Sequence, residues 1–191
     1  LYLVVQLPSD ARNNIEIADI ETQIAEAVVT WCDRLATALH NRYGAVHGEE
    51  LMQRYGGLFP GSYREGVPID DAVRDIELID SVNECDDRLQ VRLVLPHAKD
   101  DLSVRFKLVR IGGLLSLSQV LPILENFGLA VVSERPYELC SAEGSPIALQ
   151  DVELRPSYPL PGDFAGMADR FQRAFHATLS GGTEDDSLNR L

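Results

Sequence analysis

The chain has 191 residues, of which 45% are apolar and 25% charged, proportions that exclude a fibrous repeat or an intrinsically disordered chain. Its formal charge of −13 repels phosphate, so nucleic acid and anionic membrane surfaces are not expected partners. No apolar run reaches the ~20 residues of a bilayer span, and the expectation is a soluble, cytoplasmic protein.

Leu1 to Leu7 reads as a buried strand closed by Pro8-Ser9-Asp10. Nothing before it supplies backbone partners, which points to the last strand of a preceding domain (residues 1–10) in a longer polypeptide. Ile17, Ile20, Ile24, Ala27, Val28, Trp31, Leu35, Ala38 and Leu39 then recur at helical spacing. With Asn13 or Asn14 as cap and Gly44 as stop, one helix of about 27 residues and about 40 Å is expected. A shorter helix follows near Glu49 to Tyr55, then a turn at Phe59-Pro60-Gly61. Pro68 starts a third helix that turns Ala72, Val73, Ile76 and Ile79 inward.

From Arg88 the period changes to two. Leu89, Val91, Leu93 and Leu95, then Leu102, Val104, Phe106 and Leu108, alternate with polar residues, the pattern of a β-hairpin with one buried face. A helix from about Ser118 to Asn126, with a serine cap and Gly128 as its exit, leads to strands Leu129 to Leu139 and Ile147 to Leu154. Pro136 suggests that the first of these lies at an edge and bulges or ends there. A last amphipathic helix, about Phe164 to Leu179, buries Phe164, Met167, Phe171 and Phe175, and residues 181–191 read as a frayed tail. The order strand, strand, helix, strand, strand, helix predicts an α+β fold. It is a ferredoxin-like, ACT-like sheet of four antiparallel strands with two helices on one face, entered at its fourth strand. That domain is expected over 68–180, after a helical linker over 11–67.

The charge is uneven. Residues 1–87 carry 17 acids and 6 bases, whereas Arg88 to Arg110 carry 6 bases and 2 acids. Arg92, Arg105 and Lys107 should leave the sheet face opposite the buried leucines as a basic stripe. It suits a carboxylate, or acidic helices of its own or a neighbouring subunit, although a solvated outer face is the plainer expectation. Arg135 could hold a structural carboxylate or an effector. Cys32, Cys85 and Cys140 fit neither a disulfide framework nor a metal knuckle. The histidines lack the HExxH spacing, and the aspartate pairs at 70–71, 86–87, 100–101 and 185–186 lack further ligands. No metal and no catalytic site are expected.

Two stretches carry a resemblance. Arg110-Ile111-Gly112-Gly113-Leu114-Leu115 with Phe127-Gly128-Leu129-Ala130-Val131-Val132 looks like the strand–turn–helix–strand signature of ACT domains. The longer text is more specific: Arg54-Tyr55-Gly56-Gly57-Leu58-Phe59-Pro60-Gly61-Ser62-Tyr63-Arg64-Glu65, Ala72-Val73-Arg74-Asp75-Ile76-Glu77, Arg105-Phe106-Lys107-Leu108, Leu117 to Leu129 and Ser133-Glu134-Arg135-Pro136-Tyr137. At this order and spacing it resembles the N-terminal regulatory (ACT-like) region of the very long-chain bacterial NAD-specific glutamate dehydrogenases, over roughly residues 15 to 155. It departs from the family pattern at Gly66, Val67, Gln119, Gln150 and Val152.

The resemblance implies a parent oxidoreductase that converts L-glutamate to 2-oxoglutarate and ammonium with NAD, its catalytic and NAD-binding domains lying elsewhere. The absence of GxGxxG, and lysines only at 99 and 107, agree with a segment that carries no cofactor of its own. The expected partners are other domains and subunits of the same enzyme, and an amino-acid effector. For the effector, the resemblance points to the turn at Gly112, Gly113 and Leu114, where glycine lets backbone N–H groups approach a ligand. A tight strand-to-helix turn is the alternative there. For the chain as a whole, the alternatives are an oligomerisation module without ligand, or a free-standing enzyme on a ferredoxin-like sheet.

Overall fold

A computed structural model describes residues 29–83, 85, 88–95, 103–139, 145–160 and 162–179. The first helix, α1 (Trp31–Tyr43), starts where Thr30 caps it. Thr30 is extended, its hydroxyl accepts from the Asp33 N–H at 3.2 Å, and the Asp33 carboxylate accepts from the Thr30 N–H at 2.8 Å. This reciprocal capping box breaks the expected 27-residue helix, because apolar spacing runs through a cap without registering it. The earlier part of that helix, the opening strand, Cys140 and the tail lie outside the described residues.

Gly44, at φ +81°, joins α1 directly to α2 (Ala45–Tyr55), which begins four residues before Glu49. The two helices meet at backbone distance: a Cβ on Gly48 would stand 2.8 Å from the Leu39 carbonyl. Past the turn expected at Phe59-Pro60-Gly61 comes a short helix that the sequence reading does not include, α3 (Gly61–Gly66), with Pro60 as its N-cap. It seats Tyr63 at the centre of an aromatic chain, stacked on Phe59 at 4.5 Å and edge-on to Tyr137 at 5.0 Å and Trp31 at 6.2 Å. Then α4 (Ile69–Val82) starts at Pro68 as expected.

Four strands, β1 (Leu89–Val94), β2 (Val104–Ile111), β3 (Leu129–Leu139) and β4 (Ile147–Pro156), form one antiparallel sheet in the order β1-β2-β4-β3. Between and after them lie α5 (Leu117–Asn126), with Ser116 as N-cap, and α6 (Phe164–Leu179). The expected ferredoxin-like arrangement is therefore present, entered at its fourth strand. Strand β3 is an edge and runs on through Pro136, and its bulge falls between Val131 and Ser133.

Both faces of the sheet are covered, which corrects the expectation of a hairpin buried on one side only. On one face Phe106, Leu108, Val152 and Leu154 pack against α5 and α6. Phe106 lies 5.0 Å from Phe175 and 5.6 Å from Phe171. On the other face Val109, Leu149, Tyr137 and Leu139 pack under Ala72, Ile76 and Ile79 of α4 and the helices before it. Alternation marks which residues share a face. It does not say whether a sequence-distant helix covers that face.

Candidate functional site

Register sets the site. Arg92 lies opposite Lys107, Lys107 opposite Asp151, and Asp151 opposite Arg135, so one residue from each strand makes a charged row across the α4 side of the sheet. Arg105 and Glu153 face one another in the next row. The first turns of α4 bring Asp71, Arg74 and Asp75 over these rows.

Lys107 is only 7% exposed, so the expected solvated face is wrong at this residue. Its ammonium is 3.0 Å from both Asp75 Oδ2 and Asp151 Oδ2. Asp151 also accepts from Arg105 Nε at 3.0 Å and from a second guanidinium nitrogen. Asp75 accepts from the Tyr63 hydroxyl at 2.7 Å. Burial works to push the Lys107 ammonium down, but the two carboxylates outweigh it and hold it above its ordinary value. Burial pushes the Asp75 carboxyl up, against the pull of Lys107 and Tyr63. The Tyr63 phenol is pushed far up by burial and by Asp75. Arg92 reaches Glu77 at 3.2 Å and the Arg74 carbonyl at 3.1 Å. The basic hairpin thus meets the acidic helix of its own chain.

Around this network lies a pocket of about 270 Å³, lined by all four cations singled out in the sequence, Arg92, Arg105, Lys107 and Arg135. Three of them are held by carboxylates of the protein. Arg135 is exposed, and among the described residues it has no hydrogen-bond or ion-pair partner. Gly66 and Val67, which depart from the family pattern, line the same pocket.

Gly112, Gly113 and Leu114 are not part of it. They follow the far end of β2, seven residues from Arg105, or about 23 Å at ~3.3 Å per residue. Gly112 and Gly113 have φ +107° and +108°, which glycine adopts freely. The Gly112 N–H donates to the Pro146 carbonyl at 2.8 Å, and Leu114 is 37% exposed. Beside the turn the amide of Gln150 accepts from the Leu115 N–H at 3.0 Å and donates to the Leu115 carbonyl at 3.1 Å. Of the other departures, Val152 lies in the core and Gln119 is exposed.

Sequence reasoning missed Asp75, Asp151 and Gln150 as organising residues. Asp75 left a signal, since it stands on the stripe of Ala72, Val73, Ile76 and Ile79, where an unpaired carboxylate would be costly. Cys32 and Cys85 are free. Among the described residues no group of three or more metal-ligating side chains occurs, and no helix is long and apolar enough to cross a membrane.

Residues 88–166 match the family described as glutamate dehydrogenase, ACT3 domain, and residues 38–82 match glutamate dehydrogenase, helical motif 2. The whole chain is similar to the NAD-specific glutamate dehydrogenases of Halomonas elongata, at 31% identity, and Pseudomonas aeruginosa, at 29%. That of Mycobacterium tuberculosis is 32% identical over 90% of the chain. The chain spans 10% to 12% of the length of these curated relatives. It therefore belongs to the NAD-specific glutamate dehydrogenase family, of which it carries helical motif 2 and the ACT3 domain.

Proposed function

We propose that this chain is a non-catalytic regulatory segment of an NAD-dependent glutamate dehydrogenase, binding a small amino-acid effector. The parent enzyme in this reading converts L-glutamate, NAD and water to 2-oxoglutarate, ammonium and NADH in the cytoplasm, within a homo-oligomer. NAD serves the parent, and the partners of this segment are other domains and subunits of the same polypeptide. Residues 68–180 act as the ACT-like unit, with α4 as the element that passes its state to the helices before it.

One observation carries the reading. The sheet face that holds the spare cation Arg135 is the face roofed by α4, and Asp75 of α4 is bonded to Lys107 in the same row. Ligand charge placed beside this row acts directly on the bonds that join helical motif to sheet. Isothermal titration of the chain with a panel of amino acids tests the proposal. Saturable heat with at least one of them is expected. A folded chain that gives none would leave docking as the role, and glutamate-dependent reduction of NAD by this chain alone would overturn the non-catalytic reading.

A further inference from the structure

We infer that the pocket between α4 and the strand row binds a small organic carboxylate, with Arg135 as its anchor. This rests on the regulatory reading in one respect only, that it places the ligand there and not at the glycine turn.

The argument starts from charge. The pocket is lined by five cations, Arg74, Arg92, Arg105, Lys107 and Arg135, and four anions, Asp71, Asp75, Asp151 and Glu153. Lys107 is shared by Asp75 and Asp151, Arg105 is paired to Asp151, Arg92 to Glu77 and Arg74 to Asp71. Glu153 accepts from the Ser133 hydroxyl at 3.0 Å. Among the described residues Arg135 is the one cation of the set without a hydrogen-bond or ion-pair partner, and Glu153 is the one carboxylate without a cation on it.

Size narrows the class. About 270 Å³ lies at the lower end of ligand-pocket volumes, ~300–1,000 Å³ for drug-sized molecules, and suits a small metabolite. Chemistry narrows it further. A planar guanidinium grips a planar carboxylate through two parallel N–H···O bonds. A dianionic phosphate would bring a second charge among four carboxylates, which repel it. Glu153, one row from Arg135 in the same lining, gives an ammonium group a carboxylate to pair with, so an α-amino carboxylate suits the pocket as well as a simple one.

The test follows the Arg135 side-chain Nε–Hε signal by NMR in the whole 191-residue chain, titrated with propionate, L-alanine, propionamide and inorganic phosphate. A saturable shift with propionate and L-alanine, none with neutral propionamide, and at least tenfold weaker binding in Arg135→Gln are expected. No saturable shift with either carboxylate overturns the inference, as does tighter binding of phosphate. So does calorimetric amino-acid binding that survives Arg135→Gln, an outcome that leaves the regulatory reading standing. Propionate binding at Arg135 without heat from any amino acid does the reverse, keeping the pocket and removing the amino-acid effector.

Discussion

The two faces of the sheet solve burial differently. Against α5 and α6 the interface is apolar throughout its centre, with three phenylalanine rings from β2 and α6 in mutual contact. Against α4 it is apolar at one end, through Val109, Leu149 and Tyr137, and ionic at the other, through Lys107, Asp75 and Asp151. The first is non-directional and tolerates repacking. The second works only with every partner in place, since the cost of a stranded buried charge exceeds what the pair contributes. The apolar face holds the fold together, and the ionic end fixes where helical motif and sheet meet.

The largest expected effect is on the apolar face. Phe171→Ala empties the space between Phe106, Phe127 and Phe175 and is expected to cost about 4 kcal/mol, as large-to-small changes at buried aromatics do. Urea unfolding should show a lowered midpoint with an unchanged slope. Equal stability would mean that α6 does not anchor this face.

On the ionic end, Lys107→Ala strands the buried Asp75 carboxylate, removes one of the two cations on Asp151, and is expected to cost about 3 kcal/mol. Adding Asp75→Asn should recover part of the loss, because Asp151 keeps Arg105 whereas Asp75 keeps only the Tyr63 hydroxyl. If the two changes add without recovery, Asp75 and Lys107 are not coupled.

Lys107 and Tyr63 both hold their protons above their ordinary values. Above pH about 10 the unfolded chain releases these protons and the folded chain keeps them, so the stability they confer below that pH is lost as pH rises. The slope approaches ~1.4 kcal/mol per pH unit for each group. Urea midpoints between pH 9 and 11 should fall, and less steeply in Tyr63→Phe.

Glu77 sets a smaller effect with the opposite sign. It joins α4 to α1 through Arg42 at 2.6 Å and to β1 through Arg92 at 3.2 Å. Burial would raise its carboxyl, but hydrogen bonds from Tyr43 and Arg42 and the nearby guanidinium charges hold it below the usual range. Its contribution is present above pH ~4.5 and lost as pH falls through the lowered value. Glu77→Gln should cost about 1 kcal/mol at pH 7, and its stability should fall less between pH 5 and 3 than that of the unchanged chain.

How much of this was legible follows the same division. Period two in β1 and β2 and period 3.6 in α6 named the apolar face residue by residue, because each period marks a buried stripe whatever element comes to cover it. The ionic end was half legible. Arg92, Arg105, Lys107 and Arg135 were visible as a stripe, but Asp75 lies 32 residues from Lys107, and strand alternation cannot show that a helix so far away roofs a charged row. Local bonds escaped for another reason. The Thr30 cap and the Gln150 clamp on Leu115 each involve one or two polar side chains, which no periodicity registers.

The smallest expected effect is the sharpest. Arg135 belongs to the row by register yet shares none of its bonds, so Arg135→Gln should change stability by less than ~0.5 kcal/mol, as surface substitutions away from partners do. A loss of 1 kcal/mol or more would show that Arg135 is a structural member of the network, and the spare charge would vanish with it. An unchanged unfolding midpoint, read beside the cost of Lys107→Ala one strand away from Asp151, would separate the two halves of the row. With that outcome Lys107 would join helix to sheet, and Arg135 would stay open for a charge that comes from outside.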